Sequence, residues 1–270
     1  MADYQLVEVV HDGTTSRQYR AVPPARLGRA PGELVVIKLL EGTGERAFPR
    51  LSRLLQTFAS VQDPHLVQLL DAGQHEDVFF YATPDWSDGS LARPRAALTL
   101  QRALAAVSQL CRGAHALHEV GIAHRDISPS TVLLHPGGAW LGGLDLARAA
   151  MGGGSVTSMA ALQSVGYVDP ACIRGEPPSR ASDVYSIGAT LHFALTSMPI
   201  HPNLPEDDAV MAVRRVLRDA PHLSPSLHPH AAEIIRICLD PDPLARPSTA
   251  LELGTLVEEL SVALFPAGGA

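Results

Sequence analysis

The chain has 270 residues, a formal net charge of -7, and 46% hydrophobic against 18% charged residues. That balance suits a folded protein with a sizeable core and excludes a disordered one, and the acidic excess argues against a nucleic-acid binder. Among the 21 Lys and Arg residues only Lys38 is a lysine, and Asn203 is the only asparagine. The skew looks like GC-rich codon usage, so a lone lysine asks for a chemical reason.

Cys111, Cys172 and Cys238 lie far apart with no C-x-x-C pair, which reads as reduced, mostly buried thiols. The start, MADYQLVEVVHDG, lacks the charged-then-apolar order of a signal peptide, and no run approaches 18 apolar residues. The expected location is the cytoplasm, with no membrane contact from this segment.

In chain order, Tyr4–Val10 alternates apolar and polar residues and predicts a strand, followed by a turn at Asp12-Gly13 and a second strand, Arg17–Val22. Glu33–Leu40, ELVVIKLL, is a strong β-branched run. Arg50–Val61 switches to helical spacing, with Leu51, Leu54, Leu55 and Phe58 on one face. Val67–Leu70 and Val78–Ala82 predict two more strands. Past Pro84 the texture turns helical: Thr99–Gly121, Asp183–Thr196, Asp207–Arg218, His230–Leu239 and Ser248–Leu260. Short strands at Val132–Leu134 and Trp140–Leu141 flank a turn at Pro136-Gly137-Gly138. The pattern is a small β-rich part before a larger helical one, dividing near Thr83–Asp88.

GIAHRDISPSTVLL, Gly121–Leu134, resembles the catalytic-loop segment of protein kinases. Four further segments agree in order and spacing: VVIK at Val35–Lys38, DPHLVQLLDAG at Asp63–Gly73, SDVYSIGATLHFALT at Ser182–Thr196 and CLDPDPLARPS at Cys238–Ser248. The resemblance is to the bacterial eukaryotic-like Ser/Thr kinase domain. It implies an α+β, bilobal protein-kinase-like fold. Residues 1–84 would form the N-lobe, a five-stranded sheet plus one helix; 85–262 the helical C-lobe; and 263–270 a tail or linker start.

The resemblance assigns roles residue by residue. Lys38 stands where an ammonium pairs nucleotide phosphates, and Asp126 stands at the catalytic base of His124-Arg125-Asp126. Val36, Thr83, Pro84, Trp86 and Leu133 would line a nucleotide cleft, with Pro84 C=O and Trp86 N–H offered to adenine. His124 reads as a packed core residue.

Several working parts are absent. Of the glycine-rich loop only Gly13 remains; His11 and Ser16 replace its outer glycines and Gln18 its valine. Leu54 occupies the place of the lysine's glutamate partner, and no acid occurs from Arg46 to Gln62. Thr131 replaces the asparagine metal ligand. In Leu141–Arg148 one register puts Gly143 at the metal-binding aspartate; a second makes Asp145 that aspartate and requires a lengthened hairpin. Asp169-Pro170-Ala171 replaces A-P-E, so Arg246 loses its glutamate and is expected to find other acceptors such as backbone carbonyls.

The implied function is a pseudokinase, inactive or very weak, working as a regulatory module for a protein partner. It requires no cofactor; ATP binding is weak at most and Mg²⁺ is not expected. The alternative is a weak Ser/Thr kinase with a metal site rewired around Asp145 and Asp126. Lys38 is expected to pair with Asp145 or Asp126, or to face solvent. Ser155, Thr157 and Ser158, the His115/His118 pair, and Arg214, Arg215 and Arg218 read as ordinary surface or core features.

Overall fold

The computed structural model describes residues 3–12, 16–40, 48–76, 78–143 and 164–266. These form two compact units: residues 3–62 with 67–86, and residues 63–66 with 87–143 and 164–266.

The first unit is built on one antiparallel sheet. Its strands are β1 (Gln5–Asp12), β2 (Ser16–Val22), β3 (Val35–Leu40), β4 (Asp71–His75) and β5 (Val78–Pro84), in the order β1-β2-β3-β5-β4. The β-branched run of β3 takes the centre because its side chains fill both faces: every residue is buried except the half-buried Lys38. One face carries Tyr4, Ala21, Val35, Ile37, Leu39, Phe80 and Ala82 as a continuous core. Tyr4 meets Phe80 edge-to-face at 5.9 Å, and its hydroxyl donates to Asp71 Oδ2 at 2.6 Å. Helix α1 (Phe48–Ser60) buries Leu51, Leu55 and Phe58, the i, i+4, i+7 stripe its spacing predicts. The Leu54 side chain lies outside the described residues.

One expectation for this sheet needs correction. Val67–Leu70 is not a strand; the fourth strand is the polar run Asp71–His75. The apolar residues before it serve burial, with Leu66 and Val67 nearly solvent-free, whereas β4 is an edge strand that needs no apolar face. The alternation in Tyr4–Val10 forms the expected strand, β1, and that strand is mostly exposed. β1 is the other edge, and Leu6, Val7 and Val9 are all exposed because register shifts at Leu6/Glu8 and Val9/His11 break the two-residue period.

The second unit is helical. Helix α2 (Leu100–Glu119) starts at Thr99, whose side chain accepts from Arg102 N. A short hairpin, β6 (Val132–His135) and β7 (Gly138–Leu141), follows the catalytic-loop segment. Helices α3 (Pro170–Ile173), α4 (Arg180–Thr196), α5 (Ala209–Arg218), α6 (Pro229–Cys238) and α7 (Ala250–Leu264) complete it.

Helix α4 is the hub, with every residue from Ser182 to His192 buried. It begins at Arg180 rather than Asp183 because Ser179 and Ser182 cap each other reciprocally. Gly188 lets α4 approach α6: a Cβ there would lie 2.4 Å from Cys238 Cβ. The three cysteines are free thiols, and burial pushes Cys111 up and Cys238 up to about 12. Among the described residues, no helix is long and apolar enough to cross a membrane.

Candidate functional site

In the first unit, Lys38, Val36 and Thr83 share one face of the sheet, whereas Pro84 stands opposite Val35 on the other face and Trp86 lies past the end of β5. Lys38 pairs in register with Gln18 and Tyr81, and Val36 with Arg20 and Thr83. Cross-strand partners and every second residue along a strand point the same way, so these six side chains stand together. Lys38 is half-buried and is not a free cation. Val36 and Thr83 are buried, while Pro84 and Trp86 are half-buried. His11 pairs with Gln18 across β1 and β2; Gly13 lies outside the described residues.

Sequence reasoning missed Arg20. Its guanidinium is almost dry, donating to Asp85 Oδ1 at 2.8 Å and to Glu8 Oε2 at 2.5 Å. Burial works against its charge, and the two carboxylates outweigh that, leaving its pKa raised. Thus a buried ion pair sits beside Val36 on the face that carries Lys38. The signal was available: an arginine directly before Ala21, at the more apolar end of β2.

In the second unit, the segment that resembles a catalytic loop is held from behind by α4. Asp183 Oδ2 accepts from His124 N at 2.7 Å, and Oδ1 from Arg125 N at 3.0 Å. His118 Nε2 donates to the same carboxylate at 2.8 Å. Arg125 takes a φ of +74°, costly for a side chain of its size, so these bonds define the turn that delivers Asp126. His124 is buried and bonds at both ring nitrogens: Nε2–H donates to Gly142 O at 3.1 Å, while Nδ1 accepts from Asp126 N at 3.4 Å. That pattern requires the neutral ring. His124 therefore ties the loop to the end of β7. Asp126 is half-buried, and Leu133 is buried on β6.

Thr131 is also buried, and its hydroxyl is consumed locally. Oγ1 accepts from Ser128 N at 3.1 Å and faces Ser128 O at 3.0 Å and Asp126 O at 3.2 Å as donor. Its methyl points at Gly143, where a Cβ would lie 2.6 Å from Thr131 Cγ2. Gly143 follows β7 closely, since Gly142 N donates to Thr131 O at 2.9 Å. The β6–β7 turn is only Pro136-Gly137, with His135 opposite Gly138. A lengthened hairpin is not present. Asp145 itself, with residues 144–163 including Ser155, Thr157 and Ser158, lies outside the described residues.

A divalent magnesium ion needs hard oxygen ligands in near-octahedral geometry at about 2.0–2.1 Å. Position 143 has no side chain, and the oxygen of Thr131 is already bonded to its own loop. These two residues do not fit the metal. His115 and His118 form no site: among the described residues there is no cluster of three or more His, Cys, Asp or Glu for a metal.

Arg246 found more than carbonyls. Its Nη1 donates to Asp169 Oδ2 at 2.5 Å and to Ala181 O at 2.9 Å, and its Nε to Asp240 O at 2.8 Å. The carbonyls were expected; the carboxylate was not. Asp169 also caps α3 by accepting from Ala171 N at 2.9 Å. The signal lay in Asp169-Pro170, an acid just before a helix-starting proline.

A family model of the protein kinase domain matches residues 4–255. The chain is 29% identical over 209 residues to serine/threonine-protein kinase PknB of Mycobacterium tuberculosis, covering 73% of this chain and 33% of the relative. It is 29% identical over 260 residues to PknK of the same organism, covering 94% and 23%. A probable serine/threonine-protein kinase of Clostridium perfringens is 22% identical over 259 residues, covering 93% and 37%. The chain thus spans about a third or less of the length of these curated relatives.

Proposed function

The chain belongs to the protein kinase family, and from that membership we propose that it is a pseudokinase domain: a kinase scaffold that does not transfer phosphate and serves as a regulatory module for a protein partner in the cytoplasm. The observation that carries this reading is at Thr131 and Gly143. Phosphoryl transfer depends on metal ions that bridge and neutralise the nucleotide's phosphates. The position that should give the principal ligand gives no oxygen, and the second gives one bound to its own loop. The short β6–β7 hairpin favours Gly143 over Asp145 as the aspartate's counterpart.

What remains is scaffold. Asp183 still holds the catalytic loop, and Arg246 keeps a buried acidic partner. Such investment supports a surface of fixed shape more than a chemical step. The relatives are named serine/threonine-protein kinases, and this chain shares their domain without the metal positions. The net charge of -7 supports a protein rather than nucleic acid as partner. Lys38 supports nucleotide binding without metal at most, because its ammonium attracts phosphate whether or not Mg²⁺ is present.

Thermal melting with millimolar ATP, in EDTA and in Mg²⁺, tests this. A ligand at 100 times its Kd stabilises by about 2.7 kcal/mol, which is easily read. The expected result is no Mg²⁺-dependent gain and no transfer of labelled phosphate. Mg²⁺-dependent stabilisation, with transfer that disappears in Asp126→Asn, would establish the kinase reading instead.

A further inference from the structure

We propose that Thr131 is the residue that keeps an oxygen ligand out of position 143, so that the two replacements act as one interlocked exclusion of divalent metal. The proposal rests on reading Thr131 and Gly143 as the former metal positions.

The backbone at Gly143 strains any side chain, but it is not the whole obstacle. Its φ is +76°, in the left-handed region where aspartate and asparagine are the best-tolerated side chains after glycine. The rest of the obstacle is lateral. A Cβ at 143 would sit 2.6 Å from Thr131 Cγ2 and 3.3 Å from Thr131 Cβ, whereas carbon atoms normally meet at about 3.5–4.0 Å.

Neither partner is free to yield. Turning Thr131 about χ1 to move the methyl would pull Oγ1 from Ser128 N at 3.1 Å and Ser128 O at 3.0 Å. A β-branched side chain in a buried site has few other rotamers to choose from. On the other side, Gly142 N is bonded to Thr131 O at 2.9 Å, and Gly142 O accepts from His124 Nε2 at 3.1 Å. The residue before Gly143 is thus pinned through both its amide and its carbonyl.

The chemistry of position 131 follows. Serine would keep the hydroxyl bonds and remove the methyl. Asparagine has a single heavy atom on Cβ, and it adds an amide oxygen able to face a cation.

The test uses the full chain in five forms: wild type, Thr131→Ser, Gly143→Asp, Thr131→Ser/Gly143→Asp and Thr131→Asn/Gly143→Asp. Two quantities are read, the melting temperature and Mn²⁺ uptake in the presence of ATP by electron paramagnetic resonance. Gly143→Asp alone should melt about 3 °C or more below wild type and take up no Mn²⁺. Adding Thr131→Ser should restore the part of the loss due to the methyl and leave the cost of the positive φ, while Thr131→Ser alone should melt no higher than wild type. Thr131→Asn/Gly143→Asp should bind Mn²⁺. An unchanged melting temperature in Gly143→Asp, or no recovery on adding Thr131→Ser, overturns the interlock. Mn²⁺ bound by Gly143→Asp alone, or refused by the Asn/Asp form, overturns its role in metal exclusion. Mn²⁺ bound by wild type is a different failure: it removes the pseudokinase reading, while the melting comparison still decides the interlock.

Discussion

Arg246 and Asp169 form a buried ion pair, Nη1 to Oδ2 at 2.5 Å, with side-chain exposures of 1% and 4%. The carboxylate comes from two residues before Ala171, the position where the family's glutamate is replaced. A shorter acid placed earlier in the chain reaches the same guanidinium, and it caps α3 as well. The arginine also stacks over Tyr185 at 5.2 Å.

Asp169→Ala should therefore be severe. It leaves a desolvated guanidinium with only carbonyl partners and removes a helix cap. Breaking one side of such a pair costs about 3–5 kcal/mol. Urea unfolding at neutral pH would read this as a lowered midpoint with unchanged slope. A change below about 1 kcal/mol would mean that the carbonyls of Ala181 and Asp240 suffice.

Asp183→Ala should cost at least roughly 3 kcal/mol, because it orphans two buried backbone amides and the His118 ring. The loop should loosen first. Hydrogen exchange at the His124 and Arg125 amides should rise well before the rest of the helical unit. Uniform exchange across that unit would count against a local anchoring role.

His192 supplies a pH dependence. Its Nδ1–H donates to Met198 O at 2.8 Å, and Nε2 accepts from Ser224 N at 3.0 Å, so the buried ring must be neutral. Burial, first, and the charge of His222 lower its pKa, while the bond to Met198 opposes them. A histidine with a depressed folded pKa contributes its stability above the unfolded value of about 6.5 and loses it as pH falls further. Wild type should exceed His192→Gln in stability most at pH 7, with the gap narrowing by pH 5. A gap that stays constant with pH would exclude this titration.

Gly188→Ala should destabilise by roughly 1–3 kcal/mol, since the added methyl meets Cys238 Cβ at 2.4 Å in a packed helix crossing. Because the clash is with a Cβ, Cys238→Ala should give no relief and Cys238→Gly should give some. Equal rescue by both would point to the sulfur instead.

The readable parts of the fold were those where burial and local propensity agree. β3 and α1 follow directly from a β-branched run and a 3.6-residue stripe. β4 was misplaced by one segment because Val67–Leu70 is apolar for packing, while Asp71–His75 pairs through its backbone and carries no strand-like side chains. β1 was found but its burial was not, since bulges cannot be seen in the alternation itself. At the site, residue identities could be compared with a family pattern, but partners could not. Nothing in the spacing says that Asp169 reaches Arg246, 77 residues away, or that Arg20 sits between Asp85 and Glu8. The clash between Thr131 and position 143 depends on one methyl direction set by a rotamer, which no sequence pattern records.

On the proposed reading of positions 131 and 143, that methyl gives the metal position the character of a ratchet. A chain that regains aspartate at 143 first meets a steric penalty. A chain that regains asparagine at 131 first gives up the hydroxyl bonds to Ser128 and acquires half a ligand set. Neither single step is rewarded, so reversal needs both at once. A random library of single codons should return no metal-binding revertant, whereas a two-codon library at 131 and 143 should.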